Sequence, residues 1–440
     1  MQPFSGTDDV ITIFCAEFDR LRKNFDSGVG VDTALVLSRV APTIDAISAC
    51  QFLNNADTFA NNFETGRDQV LSKLKPVDMD EYNRIPCLPK TRLDVIKAFT
   101  EWIADGLNNQ KKVLWLHGLA GSGKSTISTT LAHTMRGLHR LGAFFYFNRD
   151  IPERNAATLI GTLAHQLATF DAQIGAEVSR VVERNPNIAA MPLDFQFANL
   201  LATKALKSME WSGGPIVLVI DALDECGTER DRRHIMQVLS KGFSDLPPFV
   251  RVVVSSREEP DIEAAFEPHP AIYSYHLDIN SPTTGEDITE FLRYRLAEIR
   301  TANKYILFPS DWPSDNVLYA LRARAAGLFV WASTACLYVD SHDPLRRLED
   351  LLTQESVDTS SAPFANLDRL YKTGLLSAGS WNDLSFRSDC GEILGTILCA
   401  RIPISCSAMD SILALPRQCL QSISHLRCVL QGGETEDVVR

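Results

Sequence analysis

Several things are scarce in this sequence, and each absence narrows the reading. Its ten cysteines include no CxxC pair. His425-Leu-Arg-Cys428 has ligand-like spacing, but no second pair completes a zinc site, so the cysteines read as reduced, buried thiols. No apolar run reaches the roughly 20 residues a bilayer span needs; the longest, Ala325–Val339, stops at 15. The first residues, MQPFSGTDDV, lack the basic start and apolar run of a signal peptide. Basic residues are outnumbered, 43 against 55, for a net charge of −12. An acidic chain repels phosphate backbones, so general nucleic-acid binding is not expected. The expectation is a soluble, cytoplasmic protein with no membrane span. What remains is ordinary: 45% hydrophobic and 22% charged residues, enough across 440 positions for two or three domains.

Along the chain the periodicity changes twice. Val10, Phe14, Phe18, Leu21 and Phe25 recur at three- and four-residue steps, and 32–52 and 56–75 carry weaker stripes. This predicts a helical N-terminal region over 1–80, a candidate surface for a protein partner. Pro76, Pro86 and Pro89 mark 76–92 as a linker, and a helix follows at about 92–106. From 113 the pattern becomes strands alternating with helices. Val113–His117, Ala143–Phe147, Ile216–Ile220, Arg251–Ser255 and Ile272–Leu277 are short runs, most rich in β-branched or aromatic residues. Runs without strict alternation suit strands buried on both faces, which is the mark of a parallel α/β sheet. Beyond 280 the chain turns helical again. Thr284-Gly-Glu-Asp287 has capping-box spacing before Ile288, and helices are expected at 315–340 and 364–376. Domain boundaries at 81–280, 281–380 and 381–440 follow from these changes.

The chemistry concentrates at Gly118-Leu119-Ala120-Gly121-Ser122-Gly123-Lys124-Ser125, which satisfies GxxxxGK[ST]. The context fits as well: a strand enters this loop, and a helix predicted over Thr126–Arg136 leaves it. Glycines let backbone N–H groups curl round a phosphate, and the helix N-terminus adds its positive dipole end. Lys124 is expected on the β- and γ-phosphates of ATP or GTP, Thr126 at the loop's exit, and the Ser125 hydroxyl on Mg²⁺. A second cluster lies at Pro215-Ile-Val-Leu-Val-Ile220-Asp221, an apolar strand ending in a carboxylate. Asp221 there suits the metal's water shell, and Asp224 and Glu225 follow as groups able to polarise an attacking water. The fourth strand runs into Ser255-Ser256-Arg257, where a cation would sense a γ-phosphate; the alternative is a surface arginine paired with Glu258 or Glu259. Arg149 and Arg154, after the second strand, fit surface roles better.

Together the P-loop, the Asp221–Glu225 DALDE cluster and Ser255–Arg257 resemble a NACHT domain of the STAND NTPases. The likeness is greatest to the fungal, NLR-like type that carries the nephrocystin-3-like N-terminal domain. Cys87-Leu-Pro-Lys-Thr91-Arg92, Phe144–Phe147 and Ala326–Ala332 extend the likeness over about 85–340. The resemblance implies a five-stranded parallel P-loop NTPase sheet in order 5-1-4-3-2 flanked by helices, then a helical subdomain and the start of a winged helix in 390–440. It implies that Arg92 lies among the nucleotide-binding residues. It also implies a switch with slow hydrolysis, closed with diphosphate and a homo-oligomer with triphosphate, of the kind used in self/non-self recognition and programmed cell death. Lys90 stands where that family places glycine, and Gly327-Leu-Phe329 lacks the family's proline. The chain given ends at Arg440, before the sensor repeats and winged-helix histidine of such switches. The alternatives are therefore a truncated nucleotide-binding scaffold or regulator and, further off, a metabolic P-loop kinase.

Overall fold

Each of the five apolar runs becomes a strand in the computed structural model of the protein, which describes residues 67–79, 84–105, 111–211, 214–340, 343–353, 364–377, 381–400, 404–413 and 438–439. The helical stripes expected over 10–66, and the pair His425 and Cys428, lie outside the described residues. The strands are β1 (Val113–His117), β2 (Leu141–Tyr146), β3 (Ile216–Asp221), β4 (Val250–Ser256) and β5 (Ile272–His276). All pair in parallel, in the order β2-β3-β4-β1-β5. This is the expected 5-1-4-3-2 order of a P-loop NTPase, seen from the other edge.

Burial explains why the runs read as they do. β3 and β4 are buried at every position and β1 at all but His117, because helices cover both faces. β5, at one edge, is buried only at Ile272; from there half-buried Tyr273 and Tyr275 alternate with exposed Ser274 and His276. β2, at the other edge, is buried throughout. There the Gln166 side chain accepts from the Phe144 N–H at 2.8 Å and donates to the Phe144 carbonyl at 3.0 Å. The amide thus occupies the ladder positions of a further strand and blunts the edge.

Two compact units divide the chain. The first holds the sheet with helices α1 (Leu93–Ala104), α2 (Lys124–Gly137, from Ser125 on), α3 (Ala156–Phe170), α4 (Ala172–Arg184), α5 (Leu193–Leu200), α6 (Lys204–Lys207), α7 (Glu229–Phe243) and α8 (Pro260–Phe266). Start signals are local. Asn155 and Thr158 form a capping box for α3, Asp171 caps α4, and Thr228 with Asp231 boxes α7. At two described points the proline-marked linker of 76–92 is tied to helices of the sheet unit. Val77 donates to the Thr162 hydroxyl at 3.0 Å and Cys87 to the Thr130 hydroxyl at 2.8 Å.

The second unit comprises Lys90–Arg92, Gly118–Lys124 and everything from Leu277 on. Its helices are α9 (Pro282–Ala302), α10 (Asp315–Ala325), α11 (Phe329–Asp340), α12 (Pro344–Thr353), α13 (Ala365–Ser377), α14 (Leu384–Cys399) and α15 (Cys406–Leu413). Ile288, Leu292, Leu296 and Ile299 form the buried stripe of α9, against Leu318, Leu321, Trp331 and Ala335. Each such burial contributes about 1.5–3 kcal/mol before entropy is counted. Two expectations are corrected here. The α9 cap is Ser281, whose side chain accepts from the Thr284 N–H, not Thr284 itself. The Ser-Pro pair moves the start forward, since Pro282 suits the first turn, where its missing N–H costs nothing. The single helix expected over 315–340 is two, broken where Ala326 and Gly327 adopt φ of 47° and 79°. After α14, the short strands β6 (Ile404–Ser405) and β7 (Val438–Val439) pair antiparallel. No described helix is long and apolar enough to cross a membrane.

Candidate functional site

Parallel strands deliver their C-terminal ends to one edge of the sheet, the edge where such folds bind ligands. By register, Asp221 on β3 is level with Tyr146 on β2, and one step short of it Ile220 pairs Val254 on β4. Ser255 and Ser256 then face Leu116 and His117 on β1. The loop Gly118–Lys124 leaves from this edge because His117 ends β1 there.

The loop is shaped by its glycines. Gly118, Gly121 and Gly123 have φ of 146°, 75° and 95°, a region that L side chains rarely adopt. Gly121 also has no room: a Cβ there would lie 2.3 Å from Val330 Cγ1, and the Val330 N–H donates to the Gly121 carbonyl at 3.1 Å. Lys124, 9% exposed, folds back so that Nζ donates to the carbonyls of Gly118 at 2.8 Å and Leu119 at 2.9 Å. The fully buried Ser122 hydroxyl has no hydrogen-bond partner among the described residues. A cation held over turned backbone and an orphaned buried hydroxyl are what a phosphate-bearing ligand would complete. The residues present therefore fit a nucleotide. α2 begins at Lys124, two residues before the expected Thr126, so Ser125 and Thr126 lie in its first turn with their N–H groups at the dipole's positive end.

Arg92 occupies the same unit as the loop and is 2% exposed. Its Nη2 donates to the Ser122 carbonyl at 2.8 Å and its Nη1 to the Thr284 hydroxyl at 2.7 Å. Its Nε lies 3.9 Å from Asp287 Oδ2, and the guanidinium sits 4.8 Å from the Phe329 ring centre. These contacts make Arg92 a fastener of the loop backbone, a role the sequence does not reveal because its partners come from three distant segments. Lys90, where the family places glycine, has φ of 73°, so the position does call for glycine's conformational range.

At the ends of β3 and β4 the acidic groups are already engaged. Asp221 is fully buried; Oδ1 accepts from the Ser255 hydroxyl, and Oδ2 lies 2.9 Å from Arg84 Nη2. Asp224, 2% exposed, accepts from the Arg257 N–H at 2.9 Å and pairs with Arg257 Nε at 3.2 Å. Arg257 Nη2 lies 3.8 Å from Glu225. Arg257 thus pairs with the carboxylates after β3, not with Glu258 or Glu259. Glu258 instead bonds His117 Nδ1 at 2.9 Å and His276 Nε2 at 3.1 Å, while Glu259 lies 3.8 Å from Arg232. Burial, reinforced by Asp224, raises the Glu225 carboxyl above its ordinary range; Arg149 and Arg257 work against the rise. Burial also lowers the His117 imidazole, against the pull of Glu258. The structure brings Asp221, Asp224, Glu225, Arg257 and Ser125 into the sheet unit, and Gly118–Lys124 and Arg92 into the other. Arg84 was legible in no motif. Among the described residues no cluster of three or more metal-binding side chains occurs; a P-loop site needs only one hydroxyl and one carboxylate beside phosphates and water.

The family model and the sequence relative agree with this frame. Residues 95–257 match the family model described as Nephrocystin 3, N-terminal. Over 334 residues the chain is 24% identical to the vegetative incompatibility protein HET-E-1 of Podospora anserina, a match covering 72% of this chain and 22% of that protein. The chain thus spans about a fifth of the curated relative it matches. Among solved structures it is similar to the Aeropyrum pernix ORC1 protein in complex with DNA, at 14% identity and TM-score 0.36, covering 84% of this chain and 91% of that one. It is also similar to C. elegans PCH-2, at 12% identity and TM-score 0.34, covering 62% and 72%. The resemblance to the fungal NACHT, nephrocystin-3-like type is borne out.

Proposed function

Taking as premise that residues 95–257 form a domain of the nephrocystin-3 N-terminal family, we propose that the protein is a nucleoside-triphosphate-binding switch with slow, magnesium-dependent hydrolysis. The observation that carries this reading is the loop Gly118–Lys124. Three glycines turn its amides, and Lys124 rests on carbonyls it can exchange for phosphate oxygens. In this reading the loop amides and Lys124 take the phosphates. Ser125 and Asp221 hold the metal, which when bound neutralises charge on the phosphate oxygens. Arg92 keeps the loop's shape through the Ser122 carbonyl. ATP and GTP both satisfy these contacts.

The carboxylates divide their roles by engagement. Asp224 is committed to Arg257 through both its backbone and its side chain. Glu225 is held more loosely, and its raised pKa suits a group that accepts a proton from an attacking water. Arg257 steadies the pair and is, in this reading, the candidate sensor of the γ-phosphate. In biology the reading extends to a cytoplasmic signalling role in self/non-self recognition or programmed cell death, in keeping with the vegetative incompatibility for which HET-E-1 is named. Triphosphate would drive homo-oligomerisation, and the N-terminal region would engage a protein partner. A second reading, a nucleotide-holding scaffold that does not switch, draws on Arg92 and Val330, which pin the loop as a static binder would. Mass spectrometry of nucleotide retained on the purified protein, with light scattering in each nucleotide, separates the two. Bound diphosphate and a triphosphate-driven oligomer support the switch. A nucleotide-bound monomer in every condition supports the scaffold, and no retained or added nucleotide overturns both.

A further inference from the structure

Asp221 presents a problem of charge that the sequence leaves unsolved. It is a fully buried carboxylate at the end of a fully buried strand. Such a group is stable as an anion only with a cation and hydrogen bonds around it. One oxygen is served by Ser255, whose own hydroxyl oxygen accepts from the Ala222 N–H at 3.1 Å and is thereby set to donate to Asp221. The other oxygen lies 2.9 Å from Arg84. That guanidinium is seated, not merely near. Its centre lies 4.3 Å from the Tyr146 ring centre, and Tyr146 stands level with Asp221 across the β2–β3 pair. Arg154 stacks on the same ring at 4.1 Å. Arg84 is also the more accessible partner, its side chain 21% exposed against 0% for Asp221.

We propose that Arg84 is an internal cation that competes with the magnesium ion for Asp221, making metal loading and loss of the Arg84–Asp221 pair one equilibrium. This rests on the reading above, in which Asp221 faces the metal's water shell. A hydrated divalent ion needs the oxygen that Arg84 now contacts, and two cations at one carboxylate oxygen repel. Arginine keeps its charge across the working pH range, so loss of its own proton does not release this contact; a rival cation does. The Tyr146 seat holds the guanidinium against that rival while leaving it an exposed route outward. Asp221 therefore has a counter-charge at all times: Arg84 before the metal arrives and the metal afterwards.

The test uses the full chain and two readouts. One is binding of a nucleoside triphosphate as magnesium is raised from zero. The other is the melting temperature in magnesium chloride alone, against sodium chloride of equal ionic strength. Arg84→Gln should lower the magnesium concentration for half-maximal nucleotide binding by about tenfold. It should also enlarge the melting shift caused by magnesium alone. Tyr146→Leu, which removes the seat and keeps the charge, should move both readouts the same way by less, and serves if Arg84→Gln does not fold. An unchanged magnesium midpoint and melting shift in both variants would overturn the proposal and leave Arg84 a packing residue. A selective loss of triphosphate over diphosphate affinity would overturn it too, by making Arg84 a phosphate ligand. If the parent binds no nucleotide, the P-loop reading falls by itself. The magnesium-only melting shift then still decides whether Arg84 and the metal compete.

Discussion

Lys124 and Asp221 are both buried charges, and the fold treats them differently. Lys124 donates to two carbonyls of its own loop, whereas Asp221 is matched by a full opposite charge on Arg84. A lysine on carbonyls loses little when phosphate oxygens replace them, because it exchanges neutral acceptors for charged ones. A carboxylate paired with arginine must give up one cation to accept another. The contrast implies that the phosphate end is preformed while the metal end is contested. It predicts that affinity for the triphosphate resides mainly in the loop and that magnesium sensitivity resides at Asp221.

Replacing the two groups in turn breaks or sharpens that contrast, and the loop should respond most. Lys124→Ala should reduce triphosphate affinity by a hundredfold or more, on the order of 3 kcal/mol for a charge-assisted contact. Melting should shift little, because the Gly118 and Leu119 carbonyls that Lys124 holds lie on its own loop. Calorimetric titration beside a thermal melt checks both, and a variant that binds as the parent does would move the phosphate site elsewhere. Asp221→Asn should behave oppositely, with a stability loss of about 2 kcal/mol as Arg84 loses its partner, and nucleotide binding that no longer depends on magnesium. Urea denaturation with and without magnesium measures this. A variant as stable and as metal-dependent as the parent would place the metal away from β3.

The acidic pair after β3 gives a smaller, pH-dependent effect. Burial and Asp224 raise Glu225 above its ordinary value of 4.5. Between 4.5 and the raised value the folded chain holds more proton than the unfolded one. The stability from this group is therefore fully present below pH 4.5 and is lost as pH rises through the folded pKa. Glu225→Gln should flatten stability against pH across that window and slow hydrolysis while nucleotide still binds. An unchanged hydrolysis rate would pass the water-activating role to Asp224. Least of all, Lys90→Gly should raise stability by about 0.5 kcal/mol, since relief of a left-handed lysine is partly offset by glycine's looser unfolded state. A drop in the denaturation midpoint would mean that the Lys90 side chain contributes more than its backbone costs.

What could be read from the residues divides along a physical line. β1 to β4 and the loop were legible because strands buried on both faces must be continuous apolar runs, and because phosphate cradles need glycine and lysine at fixed spacing; the strand order came only through the family likeness. Asp221 was legible because a carboxylate closing such a strand has little else to do. Arg84 was hidden because its meaning depends on a partner far along the chain, and its proline-rich setting looked like a linker. Arg92 was visible only through the family likeness, which placed it among nucleotide-binding residues; its bonds to Ser122 and Thr284 show it fastening the loop. The break between α10 and α11 escaped notice because the apolar pattern runs on through Leu328 while the backbone reverses at Ala326 and Gly327. The displaced cap of α9 shows the same limit on a small scale: both Ser281 and Thr284 are competent caps, and Pro282 decides between them.

Calorimetric titration of the full chain with ATP and with GTP, in magnesium and then in chelator, tests the central claim most directly. The account predicts saturable binding at one site per chain that weakens when the metal is removed and disappears in Lys124→Ala. Absence of heat for both nucleotides in magnesium, from protein that melts cooperatively and carries no nucleotide already bound, would contradict it.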